Sequence, residues 1–266
     1  MDADLSPLEA RGLWLGGSIL LAGVAAWVAW LLRRLERPWA ARWRTWSGRP
    51  WVYQILRLLF AVGIPAWVLL GQGQLTARGL GLQSPPWLNA ALDSAGTLTA
   101  WEDWARDVGW GVLIGTLAAF VLFAGERQAA HIAAPPATPT EHDLGTALHE
   151  ALYHEVHWAF YREPFILVLG IGRGAWAGLL LVALEAAINP ARWADLRSSE
   201  RGRDLLVRAF LAVVSALLFI QTQNLWVAFL VDTALGWSFG QSFRQVRRPA
   251  ETAVRREEGA GLLAQS

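Results

Sequence analysis

The sequence predicts an all-α polytopic membrane protein with about seven transmembrane helices, its amino terminus outside and its carboxyl terminus in the cytoplasm. Of its 266 residues 54% are hydrophobic and only 17% are charged, and the mean hydropathy is +0.30. Several apolar runs reach the roughly 20 residues that cross about 30 Å of hydrocarbon. The 17 tryptophans suit membrane interfaces. A net charge of +1 gives no case for nucleic-acid binding, and the absence of cysteine excludes disulfides and thiol chemistry.

Six apolar runs are predicted to span the bilayer. The first is too long for a signal-peptide core and leads into Arg33 and Arg34, so it is expected to remain as an anchor. The second carries Arg57 near its basic end, where the side chain can snorkel to the interface. The runs are 13–32, 53–70, 108–124, 164–188, 205–222 and 225–239.

The segment 144–162 is helical in pattern but has polar residues in its middle, Glu150, His154, Glu155 and His157. It is either an amphipathic helix lying in the interface or a further span with these groups facing inward. The arginines favour a span, because most loop arginines then lie on the cytoplasmic side. This arrangement puts the outer turn of the fourth and fifth spans at Glu163 and Pro164.

The chain divides into a front and a rear membrane region. The front region, 1–132, has three helices, a basic cytoplasmic loop and an outer loop, in which Trp101 and Trp104 predict a short interfacial helix. A Pro-rich linker, 133–142, leads to a four-helix core, 143–240, and a polar cytoplasmic tail, 241–266. The expected location is the bacterial cytoplasmic membrane, with the lipid bilayer as the first partner.

Candidate metal ligands lie in the rear region. Glu150, His154 and His157 share one helical face, and Asp232 is expected at the depth of His154, roughly 12 Å below the outer ends of the spans. Imidazole and carboxylate suit a divalent metal such as zinc. The alternative is a structural ion pair of Arg173 with Glu155 or Asp232.

The glycines of the fifth predicted span are interpreted as packing residues. Gly174 and Gly178 lie four residues apart within an apolar run, which favours close helix contact over a phosphate-binding loop.

From Glu150 onward the chain resembles the CPBP family of intramembrane proteins, which includes CAAX proteases and bacteriocin-processing proteins. That family carries an EExxxR helix, a span ending in FxxxH, and a phrase like TGNLW followed by HxxxN. The corresponding phrases here are FYRE, WAGLLLVALEAAINP and TQNLW, and the likeness covers the rear four spans.

The resemblance implies an ancestral intramembrane endopeptidase whose glutamates activate a water. Most of the family's catalytic residues are replaced in this sequence. Only Arg162 is retained. The glutamates fall on His157 and Trp158, the FxxxH pair on Glu185 and Asn189, and the HxxxN pair on Asp232 and Gly236.

Three alternatives follow. A relocated site would use Glu150 or Glu155 as the base, with His157 and Asp232 holding a metal or a water beside Arg162. A pseudoenzyme would keep the fold as a scaffold or complex subunit that binds a membrane-embedded peptide, protein or lipid. The third alternative is convergent hydropathy without relation to the family.

Overall fold

The computed structural model describes residues 7–70, 80–83, 85–86, 94–132 and 143–239, and every regular element within these ranges is helical. The predicted linker 133–142 and tail 241–266 lie outside the described residues. A π-helical turn, Leu59–Gly63, joins the helices Arg49–Leu58 and Ile64–Leu70. The helices are α1 (Pro7–Arg34), α2 (Pro38–Thr45), α3 (Arg49–Leu58), α4 (Ile64–Leu70), α5 (Ser94–Ile132), α6 (Leu144–Ile188), α7 (Pro190–Leu196), α8 (Ser199–Thr222) and α9 (Leu225–Phe239).

Five stretches of the described chain are long and apolar enough to cross a membrane. They carry exposed apolar side chains, with Leu20 69% and Leu180 71% exposed, which is typical of surfaces that contact lipid. The all-α class is therefore confirmed, and its helices are compatible with a membrane protein. The stretches are Glu9–Arg34, Arg49–Val68, Leu98–Gln128, Leu144–Ile188 and Arg201–Thr222, and α9 is a shorter apolar helix.

The longest helix, α6, folds back on itself at Gly170. This glycine has φ +77° and ψ 171°, a conformation that side-chain-bearing residues rarely adopt. Beyond it, the backbone of Gly174 lies against Ile166 and that of Gly178 against Arg162. Residues eight and sixteen apart would be about 12 and 24 Å apart along a straight helix. The helix is thus a hairpin with a first arm (144–169) and a second arm (171–188).

The predicted turn at Glu163 and Pro164 is therefore wrong. Both residues are buried within the first arm. A proline removes one helical hydrogen bond and kinks a helix, but it does not reverse the chain. Reversal needs a residue that tolerates positive φ, and Gly170 provides it seven positions after the predicted turn begins.

The predicted short interfacial helix at Trp101 and Trp104 is also wrong as a separate element. Both tryptophans belong to α5, which runs without a break from Ser94 into the apolar part of the helix. No proline interrupts this stretch, so one helix continues where two were expected.

Polar contacts hold the turn between α8 and α9. Asn224 is fully buried, and its side chain accepts from the backbone N–H of Trp226 at 3.1 Å and donates to Asp107 Oδ2 at 3.1 Å. The backbone N–H of Leu225 donates to the carbonyl of Gly81 at 2.8 Å. The TQNLW phrase thus has a structural role, since it caps α9 and ties it to α5 and to the loop 80–83.

Candidate functional site

The polar residues predicted for the site lie mainly on the first arm of α6. As a whole, α6 packs against α1, the π-helical turn, α4, α7 and α8. Glu155 and His157 are buried, and Glu150 and His154 are partly buried. The segment forms a helix with its polar groups turned toward its neighbours, as the inward-facing alternative predicted.

Glu150 is bound by arginine from two helices. Arg57 of α3 donates to both of its carboxylate oxygens, through Nη1 to Oε1 and through Nη2 to Oε2 at 2.7 Å. Arg208 of α8 lies 3.5 Å from Oε2. Arg57 therefore turns inward as one half of a bidentate ion pair, rather than snorkelling outward as predicted. Sequence reasoning missed this pair. The available signal was that Arg57 and Glu150 carry opposite charges on two mainly apolar helices.

A further arginine lies at the same end of the bundle. Arg192 of α7, between α6 and α8, is close to Arg208. Burial lowers the pKa of Arg192 from its usual value, and the neighbouring Arg208 charge adds to this shift. This end of the bundle is therefore rich in positive charge.

His154 lies between two carboxylates. Its Nε2 is 3.8 Å from Glu150 Oε2, and its Nδ1 is 3.9 Å from Asp232 Oδ2. Its ring stacks on Trp158 with 5.1 Å between centroids. The predicted approach of His154 and Asp232 is thus present, across the interface of the first arm with α9.

His157 faces a different neighbour. Its Nε2 lies 2.9 Å from Glu185 Oε2 on the second arm, at hydrogen-bond distance. Its ring packs against Phe60 of the π-helical turn and against Tyr161, whose hydroxyl is 3.2 Å from Ser18 Oγ. The predicted common face of Glu150, His154 and His157 is therefore divided between two sets of contacts.

Glu155 and Arg162 form the most deeply buried charged part of the site. Ser215 of α8 donates to Glu155 Oε2 at 2.9 Å, and the Arg162 guanidinium lies over the Phe219 ring at 3.6 Å. Ser215 was not expected to take part, because a single serine in an apolar run gives no pattern to identify it.

Arg173 does not take the predicted role of ion-pair partner for Glu155 or Asp232. Its side chain is exposed on the second arm, three residues after the turn at Gly170. The prediction was wrong because it placed the turn too early, and this put Arg173 at the depth of His154. The arginine beside Glu155 is Arg162, on the same arm.

The four predicted zinc ligands do not converge in the structure. Glu150 and Asp232 lie on opposite ring nitrogens of His154, and His157 points toward Glu185. A metal needs its ligands about 2 Å from one shared point. Within the described ranges no group of three His, Asp or Glu residues could hold a metal ion. These residues do not fit the proposed metal, and zinc binding stays a prediction.

The comparisons with known proteins give no relative. No protein family, curated protein or solved structure matches the chain.

Proposed function

We propose that the chain is a CPBP-like protein of the bacterial cytoplasmic membrane whose rear four-helix core is a non-catalytic scaffold for a membrane-embedded peptide or protein partner. The observation that carries this proposal is the pairing of Glu150 with Arg57. This ion pair joins a helix of the front region to a helix of the rear region, and both helices are mainly apolar. A structural scaffold requires such cross-links between helices.

The same pairing argues against Glu150 as a catalytic base. A general base must reach the proton that it abstracts, directly or through one water. Both oxygens of Glu150 are engaged by the guanidinium of Arg57. His157 is likewise engaged by Glu185. The atoms of Glu150 and His157 that catalysis would need are thus engaged in contacts between helices.

We also propose that the helices cross the membrane seven times. The two arms of α6 would be separate spans, and α9 would be the last. The amino terminus would then lie outside, and the basic end with Arg192, Arg208 and Glu150 would lie toward the cytoplasm, in agreement with the positive-inside rule.

Cysteine labelling tests this topology directly, because the natural chain contains no cysteine. We expect Gly172→Cys, near the hairpin turn, to react with a membrane-impermeant maleimide in spheroplasts. Arg197→Cys, between α7 and α8, should react only after permeabilisation. Both positions are exposed, and the unsubstituted chain is the control for background labelling. Labelling of Arg197→Cys in sealed spheroplasts would contradict the proposed crossing.

A second candidate function is a relocated hydrolytic site with Glu155 as its base. It is favoured by Glu155 Oε1, which has no hydrogen-bond partner among the described residues and lies beside Ser215 and Arg162. A carboxylate oxygen with no partner is able to accept a proton from water. The scaffold is the better-supported function because, among the described residues, no group of three His, Asp or Glu side chains could hold a metal beside this oxygen.

Elemental analysis of the purified protein distinguishes the scaffold from a metal-dependent hydrolytic site. We expect far less than one zinc per chain, because the candidate ligands face different directions. One zinc per chain, lost in His154→Ala/His157→Ala, would instead support the hydrolytic candidate. Glu155→Gln is the control, since it alters the candidate base without removing a predicted ligand.

A further inference from the structure

Two arginines at the basic end of the bundle lie side by side without a carboxylate to neutralise both. Arg192 of α7 is half-buried and close to Arg208 of α8. Among the described residues, no carboxylate lies within ion-pair distance of Arg192. Asp195 and Glu185 act on it electrostatically, but each bonds to another side chain. Neighbouring like charges repel, so an anion bound between the two guanidiniums would stabilise this end of the bundle.

Glu150 does not remove this excess of positive charge. Arg57 binds both of its carboxylate oxygens, whereas Arg208 contacts Oε2 alone, at 3.5 Å. One carboxylate cannot neutralise both of these guanidiniums and Arg192 as well. Arg208 and Arg192 therefore keep donors that an added anion can use.

These arginines line an open groove between α3 and the helices α7 and α8, which we call the Arg192 groove. All ten residues of α3 are at least partly exposed, and this helix packs mainly on its sequence neighbours. Arg57 and Arg208 thus meet at Glu150 across a space that helix packing does not fill. Tyr53 of α3 lies within electrostatic range of Arg192 on the other side. The floor of the groove is accessible, since the side chains of Glu150, Arg57 and Arg208 are 21%, 23% and 39% exposed.

The depth of the groove suits a lipid head group. Arg192 lies four residues past the end of the second arm at Ile188. Arg208 lies only three residues, about 4.5 Å, into the apolar run that begins at Leu205, and a long arginine side chain can reach outward from there. In a bilayer the head groups lie where the apolar parts of spanning helices end. Exposed aromatic side chains, which are typical of membrane interfaces, surround the same end. They are Trp51, Tyr53 and Trp193.

We propose that the Arg192 groove binds the phosphate of an anionic phospholipid of the cytoplasmic leaflet, with the guanidiniums of Arg192 and Arg208 donating to its oxygens. The planar fork of N–H groups on a guanidinium matches phosphate oxygens. The acyl chains lie along α3, where Ile55 and Leu56 are exposed. Basic pockets between transmembrane helices on the cytoplasmic side bind anionic head groups in this way. The inference rests on the proposed topology, which puts this end of the bundle at the cytoplasmic face.

Native mass spectrometry of the full chain, released from detergent micelles, tests the proposal. The probes are phosphatidylglycerol and a diacylglycerol with the same acyl chains. We expect the wild type to retain one phosphatidylglycerol per chain and no diacylglycerol, which lacks the phosphate. Arg192→Gln should lower the retained fraction about tenfold, because a charge-assisted hydrogen bond is lost. Arg192→Lys keeps the charge without the fork and should retain an intermediate amount.

A second arginine at the same end separates a bound lipid from general attraction to positive charge. Arg197, between α7 and α8, is exposed, and Arg197→Gln removes the same charge as Arg192→Gln. This control should retain phosphatidylglycerol as the wild type does. Added phosphatidylglycerol should also raise the unfolding temperature of the wild type and of Arg197→Gln, but not that of Arg192→Gln. Equal retention by Arg192→Gln and Arg197→Gln would overturn the proposal.

Inorganic phosphate distinguishes a lipid from a free anion. Phosphatidylglycerol should stay bound in millimolar inorganic phosphate, because its acyl chains also contact the protein. Its displacement would assign the groove to a free anion and overturn the lipid proposal. The cysteine labelling of Gly172 and Arg197 does not depend on lipid binding. If the labelling agrees with the proposed topology and phosphatidylglycerol is not retained, the lipid proposal alone fails.

Discussion

Replacing Glu150 with glutamine is expected to lower the free energy of unfolding by about 3 kcal/mol, the low end of the cost of breaking a buried ion pair, because this pair is only partly buried. The substitution keeps the side-chain shape and removes the charge. It leaves Arg57 with a neutral amide in place of two charge-assisted bonds. The expected fall in melting temperature is roughly 5–10 °C.

The measurement is thermal unfolding of the detergent-solubilised chain, followed by its tryptophan fluorescence. A double-mutant cycle with Arg57→Gln isolates the pair. The double variant should be more stable than the sum of the single effects predicts, because it leaves neither member of the Arg57–Glu150 pair charged without the other.

An exposed pair of the same chemistry provides the matched control. Arg106 and Asp103 on α5 lie 3.0 Å apart with both side chains more than half exposed. Asp103→Asn should cost under about 1 kcal/mol, because water screens the interaction. The contrast between the two sites attributes the Glu150 effect to burial and not to the loss of any salt bridge.

The direction in which Glu150→Gln changes the free energy of unfolding also distinguishes a scaffold from an enzyme. Active-site side chains are often poorly adapted to stability, and their replacement is commonly neutral or stabilising. A Glu150→Gln protein as stable as the wild type would contradict the structural role of the pair and favour the catalytic alternative.

The class of fold was predictable because span length and hydropathy depend on local sequence alone. Apolar runs of the required length recur along the chain, and the structure has helices at each of them. The position of the hairpin turn was not predictable from the same pattern. Pro164 resembles a helix breaker in sequence, whereas the reversal depends on the positive φ that Gly170 adopts inside an uninterrupted apolar run.

The predicted meeting of His154 and Asp232 shows how two errors can offset each other. The turn lies about 10 Å farther along the first arm than predicted, so His154 is deeper below it. The start of α9 lies correspondingly deeper, since Asp232 is only about 10 Å past Leu225. No such compensation applies to Arg173. It lies only three residues after Gly170, so the later turn places it near the end of the hairpin and away from His154.

The pair of Arg57 and Glu150 could not be located by depth arithmetic. Depth says which residues share a level of the membrane, but not which helices are neighbours. The contact of α3 with the first arm is a property of three-dimensional packing. Only the general rule that charges within apolar helices find a partner was available from the sequence.

Substitution of Gly178 should have the second large effect, because the two arms of α6 touch there through their backbones. A Cβ added at Gly178 would lie 2.6 Å from Arg162 Cα, and one added at Gly174 would lie 2.5 Å from Ile166 Cα. Contacts this short with backbone atoms cannot be relieved by a rotamer change. The arms must move apart, as the predicted glycine packing implies.

We expect Gly178→Ala to lower the free energy of unfolding by about 1–3 kcal/mol, the usual cost of overpacking, and Gly174→Ala/Gly178→Ala to lower it further. Separation of the arms would also lengthen the 2.9 Å contact of His157 with Glu185. Thermal unfolding by tryptophan fluorescence measures both variants under the conditions used for Glu150→Gln.

Gly172→Ala is the matched control on the same arm. A Cβ at Gly172 would have nothing within 4 Å, and alanine favours helix over glycine by about 1 kcal/mol. This variant should therefore be as stable as the wild type or slightly more stable. If Gly178→Ala unfolds at the same temperature as Gly172→Ala, the arms do not touch at the glycines and the hairpin is not a packed unit.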